Sequence, residues 1–264
     1  MFMAVRREII VAFLSIKYNI MRSYTEFKSF VLSVVLSVLN NAVFIVQWMV
    51  LFGIHGSFGS YRFDDIMFIW AMACSTGALY GIMFGGAGTL SQLIMVGKLD
   101  SFIVQPRNLY FNIATSATDM SAFGDLVYSI ILCAIFSKDY RTVLAYVVLS
   151  LTGAFILLAF HMMIGSLTFW ISDGRLVSVL LSNVMTAVAT YPDQIFNRFI
   201  RGLLYSIFPV GFIIFIPARM LKEPDMEIIL YVMIAAWIYF VLSVAFFYKG
   251  KKRYLSSNIM SSRL

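Results

Sequence analysis

The chain has 264 residues, of which 61% are hydrophobic and 12% are charged, and its formal net charge is +7. About a quarter of the residues in soluble domains are charged, so this composition excludes an ordinary soluble protein and indicates an integral membrane protein. At about 20 residues per span, there is room for roughly six transmembrane helices and little else. We therefore expect an all-α polytopic membrane protein with six transmembrane helices that form one domain, residues 1–264.

The sequence lacks the motifs of common nucleotide, metal and hydrolase sites. G-x-x-x-x-G-K-[ST], H-E-x-x-H, C-x-x-C and G-x-S-x-G do not occur in it. We expect no catalytic residue, no metal site and no cofactor on this chain. The basic residues cluster near the two ends of the sequence, which in a membrane protein reports orientation, and we expect no binding to nucleic acid.

Residues 1–29 combine apolar positions with five basic residues. This pattern favours an amphipathic N-terminal helix lying in the membrane interface, with a simple solvated helix as the alternative. The first span is predicted at residues 30–52. It contains three uncharged amides, Asn40, Asn41 and Gln47, which either bind a neighbouring helix or line a translocation path, and we favour the first role.

The second predicted span, residues 66–90, contains glycines at a spacing near four residues, which is typical of helices that pack closely. A polar stretch, residues 91–112, follows it. Helical spacing of apolar residues there predicts a short amphipathic helix from Lys98 to Gln105, bounded by Gly97 and Pro106.

The third predicted span, residues 116–136, contains Asp119 and Asp125. An acid inside a span suggests a functional site, whereas a later helix start would place both acids at the interface. The fourth, residues 143–170, contains His161, which is more often a hydrogen-bonded packing residue than a titrating one.

The next part of the chain does not divide into clean spans. Residues 176–190 predict a fifth span, and the apolar run between Pro209 and Pro217 is too short to cross a bilayer. We therefore expect a re-entrant helical hairpin in residues 191–221, before the last span at residues 226–247.

Basic residues indicate the orientation of these six spans. Thirteen of the 20 lysines and arginines fall on the side that holds both termini and residues 91–112. Both termini and this stretch are therefore expected to be cytoplasmic.

Two groups of residues resemble motifs of a known transporter family. Residues Gly97, Leu99, Asp100, Ile103 and Pro106 resemble the pattern G-x-L-D-x-x-L-x-x-P found after the second span in a subfamily of ABC-2 type permeases. A later set resembles other signals of that subfamily: Tyr191, Pro192, Ile195, Phe196, Phe208, Pro209, Pro217 and Ala218. In order and spacing the resemblance covers most of the chain.

The resemblance implies the permease subunit of an ATP-driven exporter in the bacterial cell membrane, which carries a hydrophobic or amphipathic substrate. It implies two protein partners, an ABC ATPase that binds ATP and Mg and a second permease that is identical or homologous. It further implies coupling to the ATPase through Gly97, Lys98, Leu99, Asp100, Phe102, Ile103, Pro106 and Arg107. The external gate would be formed by Tyr191, Pro192, Phe196, Pro209 and Pro217.

Two other functions remain open from the residues alone. An ion-driven secondary transporter would use paired charges inside the membrane, for which Asp119, Asp125 and His161 are the candidates. An accessory membrane assembly protein would not require the element between Gly97 and Pro106.

Overall fold

The computed structural model describes residues 2–55, 61–137, 139–220 and 225–254. Within these ranges the chain is helical and contains no β-strand. The predicted loop after the first span and the C-terminal basic residues fall partly outside the described ranges. The α-helices are α1 (Phe2–Ser23), α2 (Phe27–His55), α3 (Phe63–Phe84), α4 (Leu90–Met95), α5 (Asp100–Ile103), α6 (Leu109–Ala114), α7 (Ala122–Phe136), α8 (Tyr140–Ser166), α9 (Gly174–Ala189), α10 (Arg198–Leu204), α11 (Ile216–Met220) and α12 (Met226–Lys251).

Four of the described helical segments are long and apolar enough to cross a membrane: Phe27–Ile54, Phe63–Met95, Tyr140–Phe169 and Met226–Lys251. The chain is therefore a membrane-embedded helical protein. Helices satisfy their own backbone hydrogen bonds, which is what the hydrocarbon region requires of any spanning segment. Helices α7 and α9 are also apolar but shorter, with 15 and 16 residues.

The helices form a bundle in which α3 and α8 lie at the centre. α3 packs against α7 and α8, α12 packs against α8, and α2 packs against α7. We call the end of the bundle where α2 begins and α12 ends the α1 end. The other end, where α2 ends and α12 begins, is called the Asp193 end.

Glycines allow the close approach of neighbouring segments near the α1 end. A Cβ atom on Gly86 would lie 2.1 Å from the carbonyl oxygen of Ile113, and one on Gly124 would lie 2.6 Å from that of Val34. No Cβ fits at such distances, so glycine is required at both positions. Gly77, by contrast, has open space around it.

Two helices start at positions other than those predicted: α7 starts later than residue 116, and α2 starts earlier than residue 30. The predicted span 116–136 becomes helical only at Ala122, because the backbone N–H of Asp119 donates to the carbonyl oxygen of Gly81 at 2.9 Å and holds the preceding turn against α3. Residues 1–29 form α1, which ends at Ser23, a 3-10 turn at Tyr24–Glu26 and the start of α2.

After α9 the chain runs into the bundle and back towards the Asp193 end. At its inner point, the ring of Phe208 lies 5.9 Å from that of Phe160 on α8, and the Tyr239 hydroxyl of α12 donates to the carbonyl oxygen of Ser206. A π-helical turn, Gly211–Phe215, and α11 then carry the chain back to Arg219. We call residues 191–219 the inner hairpin.

Candidate functional site

The conformation of the stretch between α4 and α6 depends on the backbone of Gly97 and on the buried side chain of Leu99. Gly97 has a φ of 69°, a conformation that glycine adopts without a steric cost. The N–H of Leu99 then donates back to the carbonyl oxygen of Leu93 at 3.1 Å. The helix that follows, α5, is a single turn from Asp100 to Ile103 and is shorter than the predicted Lys98–Gln105.

The predicted coupling residues divide into anchors and exposed residues. Leu99 is fully buried in an apolar cluster with Leu109, Tyr110 and Phe247, and Phe102 is half-buried against the same cluster. Val104, next to the predicted residues, is 81% exposed, which is unusual for an apolar side chain. The exposed members of the predicted set are Lys98, Ile103, Pro106 and Arg107.

Helix α1 lies against the end of this stretch. The Glu8 carboxylate accepts from the backbone N–H of Asn108 at 3.2 Å, and the Asn19 side-chain amide donates to the carbonyl oxygen of Thr115 at 3.0 Å. Arg107 donates to the Ser15 hydroxyl at 3.4 Å. The N-terminal helix and the residues before α6 are thus joined at several points.

A buried carboxylate organises the Asp193 end. Asp193 is 1% exposed and accepts from the Arg219 guanidinium at 2.8 Å through each of its two oxygens. The hydroxyls of Tyr61 and Tyr205 donate to it at 2.5 and 3.1 Å. Arg201 donates to its backbone carbonyl at 3.2 Å. These five residues, which we call the Asp193 cluster, join the start of α3 to both arms of the inner hairpin.

Charge and hydrogen bonds at this site favour the ionised carboxylate. Burial on its own would raise the pKa of Asp193, but the hydrogen bond from Tyr61 and the nearby Arg219 charge outweigh it, and the pKa lies below its usual value. Burial and the hydrogen bond to Asp193 raise the pKa of Tyr61, which stays a neutral donor.

None of the five predicted gate residues donates to or accepts from the Asp193 side chain, although Pro192 directly precedes Asp193 in the chain. Pro192, Pro209 and Pro217 are buried, Phe196 is half-buried, and Tyr191 is exposed with its ring 6.4 Å from that of Trp48. The sequence reasoning did not single out Tyr61, Asp193 or Arg219. The available signal was an acid directly after Pro192 in an otherwise apolar region.

The three amides of the first span lie in different environments. Asn41 is 2% exposed and donates to the Asp125 carboxylate at 2.6 Å, which also accepts from the Ser37 hydroxyl. Asn40 and Gln47 are exposed on the outside of the bundle. Asn41 therefore joins α2 to α7, and Asp125 is hydrogen-bonded to α2.

A cavity of about 340 Å³ lies between α3, α8 and α9. His161 lies in its wall, with its ring stacked 4.5 Å from that of Tyr80. Its Nδ1 lies 2.9 Å from the carbonyl oxygen of Leu157 and its Nε2 lies 3.2 Å from the Ser182 hydroxyl. Because a carbonyl only accepts, Nδ1 is the protonated nitrogen, and Nε2 accepts from Ser182. Asp119, which is exposed, also lines this cavity.

Within the described ranges, no group of three or more histidine, cysteine or acidic side chains is arranged to hold a metal ion. The side chains of Asn41 and Asp125 and those of the Asp193 cluster form hydrogen bonds between separate segments of the chain.

The sequence model of one protein family, described as ABC-2 family transporter protein, matches residues 38–258. The chain belongs to this ABC-2 transporter family. The match includes the four long apolar helices apart from the first turns of α2, and it includes the stretch around Gly97 and the inner hairpin. No curated protein and no solved structure matches the chain. Family membership confirms the resemblance seen in the sequence and identifies a membrane component of a transporter.

Proposed function

We infer that this ABC-2 protein is the permease subunit of an ATP-driven exporter of a hydrophobic or amphipathic substrate. The observation that carries this inference is the family match over residues 38–258, which takes in most of the bundle. In this proposal, ATP and Mg bind to a separate ABC ATPase, and the permease converts the closure of the ATPase into a rearrangement of packed helices.

The ATPase is proposed to dock at the α1 end, on the exposed part of the stretch between Gly97 and Arg107. The exposed Val104 and Ile103 offer an apolar contact, flanked by the cationic Lys98 and Arg107. Exposed apolar side chains beside charges are typical of a protein contact. The buried Leu99 would transmit a push on this surface into the bundle, and α1 would move with it.

The proposed topology has six spans, with both termini and the α1 end in the cytoplasm of a bacterium. The four long helices would cross the membrane, and the shorter α7 and α9 would complete the set. The inner hairpin would be the re-entrant segment before the last span, because it enters the bundle to the level of Phe160 and returns to Arg219. The Asp193 cluster would then hold the external gate closed.

A second permease copy is proposed to cover part of α2. Asn40 and Gln47 lie seven residues apart on the exposed side of this span. An amide that faced lipid would lack hydrogen-bond partners, so a second subunit or a polar path between two subunits suits these positions better. The cavity between α3, α8 and α9 is a further candidate for part of the path.

Copurification and reconstitution test the proposal. The chain, purified from its native membrane, should bring down an ABC ATPase, and the pair in vesicles should move a lipophilic fluorescent substrate only when ATP is present. Transport by the chain alone, driven by an ion gradient without ATP, would overturn the proposal in favour of a secondary transporter.

A charged residue at the proposed docking surface should uncouple transport by the permease from ATP hydrolysis by the ATPase. Val104→Asp is expected to reduce ATP-driven transport about tenfold. The variant would lose an apolar contact with the ATPase and would place a carboxylate in that contact, and together these changes should weaken docking by about this factor. Insertion into the membrane should be unchanged. Met226→Asp is the matched control, because Met226 is 78% exposed at the Asp193 end. Equal transport by the two variants would rule out docking at Val104.

A further inference from the structure

A second cavity of about 340 Å³ lies at the α1 end, where α1 turns into α2 and the segment before α7 closes the other side. It is separate from the stretch around Gly97 and from the cavity beside His161. Two oppositely charged side chains, Arg22 and Glu26, both line it. An anion alone would meet Glu26 and a cation alone would meet Arg22, so the charges suit a ligand that carries both signs.

Four of the five hydroxyl side chains that line the cavity donate their hydrogen to a backbone carbonyl of the protein, and Ser29 is the fifth. Ser33 donates to the carbonyl oxygen of Ser29 at 2.9 Å, Ser116 to that of Ile113 at 2.7 Å and Thr118 to that of Ile82 at 3.0 Å. Thr25 likewise donates to the carbonyl oxygen of Arg22.

A hydroxyl has one hydrogen and two lone pairs, so these four groups can only accept from a ligand. The cavity therefore favours a cationic group that carries N–H donors over a quaternary one.

The cavity also has an apolar side. Phe30 and Met120 line it, and Val31 and Leu32 on the next positions of α2 are 39% and 59% exposed. Exposed apolar residues at the beginning of a span lie at the depth where lipid headgroups meet acyl chains. A ligand with a polar head and hydrocarbon tails fits this arrangement.

We propose that this cavity binds the headgroup of phosphatidylethanolamine from the surrounding bilayer. The ammonium donates to Glu26 and to the hydroxyl oxygens, and the phosphate accepts from Arg22. The acyl chains lie along Phe30 and Met120. Such a lipid ties α1 to the first turn of α2 and to the segment before α7. The site does not depend on which substrate is carried or in which direction.

Lipid competition tests the assignment without any variant. The full-length protein is placed in nanodiscs that contain equal amounts of phosphatidylethanolamine, phosphatidylcholine and phosphatidylglycerol with identical acyl chains. Retained lipids are then counted by native mass spectrometry. Phosphatidylcholine has the same charges but no N–H donor, so phosphatidylethanolamine should be retained about tenfold more often, the effect of one charge-assisted hydrogen bond. Equal retention of the two, or an excess of phosphatidylglycerol, would overturn the proposal.

A variant pair then locates the preference. Glu26→Gln removes the charged acceptor and should reduce the preference for phosphatidylethanolamine over phosphatidylcholine severalfold, because only neutral acceptors remain for the ammonium. Glu227→Gln, at an exposed position of the Asp193 end, should leave it unchanged. An undiminished preference in Glu26→Gln would show that the lipid binds elsewhere, which contradicts the proposed site.

Discussion

The two ends of the bundle are held together by different physical means. At the α1 end, Gly86 lets one backbone touch another, and the buried Leu99 packs an exposed stretch onto the helices. At the Asp193 end, a carboxylate and two guanidinium groups bring together segments that are far apart in the sequence. The first end should therefore respond to changes of side-chain volume, and the second to changes of charge.

The largest effect is expected from the removal of the central carboxylate. Asp193→Ala leaves Arg219 and two tyrosine hydroxyls without their acceptor and should lower the free energy of unfolding by about 3 kcal/mol. This is the lower part of the range for a broken buried pair, because Arg219 is half exposed. Reversible unfolding of the purified protein in detergent and SDS measures the change.

Asp64→Ala is the control for that variant, because Asp64 is an exposed acid at the same end. If both variants unfolded at the same SDS fraction, the Asp193 end would not be held by charge.

A volume change should matter most at the α1 end. Gly86→Ala places a methyl group on the carbonyl oxygen of Ile113 and should destabilise the protein by about 2 kcal/mol through overpacking. Gly77→Ala adds the same group to a helix with open space around it and should be neutral or slightly stabilising. Similar unfolding curves for the two variants would contradict the close approach.

A smaller effect is expected from the backbone conformation that begins the exposed stretch. Gly97→Ala should cost about 1 kcal/mol, because an alanine at a φ of 69° is strained. Limited proteolysis between Gly97 and Arg107 should become faster in this variant. Gly53→Ala, in the open part of α2, should leave the cleavage rate unchanged.

The smallest effect concerns pH and separates the two ends directly. The folded pKa of Asp193 is lowered, so its ionisation stabilises the protein above the ordinary carboxyl pKa of about 4. That contribution is lost as the pH falls through the lowered folded pKa. Melting temperatures are measured between pH 3 and 7 for the native protein and for Asp193→Asn. The difference between the two melting temperatures should be constant near pH 7 and should decrease below about pH 4.

The pH dependence of Gly86→Ala provides the comparison. The difference in melting temperature between Gly86→Ala and the native protein should stay the same over this pH range, because no charge is changed. A difference for Asp193→Asn that increased in acid would reverse the assignment of charge to the Asp193 end.

Long apolar runs were sufficient to predict α2, α3, α8 and α12, since a helix of about 20 apolar residues has few alternatives in lipid. The stretch around Gly97 could also be predicted from the sequence, because Gly97 and Pro106 mark its two ends. The Asp193 cluster could not, since Tyr61, Asp193 and Arg219 meet only after the inner hairpin has folded. Periodicity favours a class of structure, but it contains no information on such distant contacts.

Adjacent residues on one helix show the same limit. Asn40 and Asn41 are equivalent in the sequence, but they point about 100° apart around α2, so one is buried against α7 and the other is exposed. The sequence left open whether α7 begins near residue 116 or later, and it begins at Ala122 for a related reason. The turn before it is held by a contact with Gly81 on another helix.

One turn of α8 contacts both the apolar cluster around Leu99 and the inner hairpin. Leu158 and Met162 belong to the apolar cluster that buries Leu99, and Phe160 between them contacts Phe208 at the inner point of the hairpin. A shift of about 1 Å in this single turn would reach both partners at once. The apolar cluster around Leu99 and the inner point of the hairpin are therefore both packed on residues 158–162 of α8.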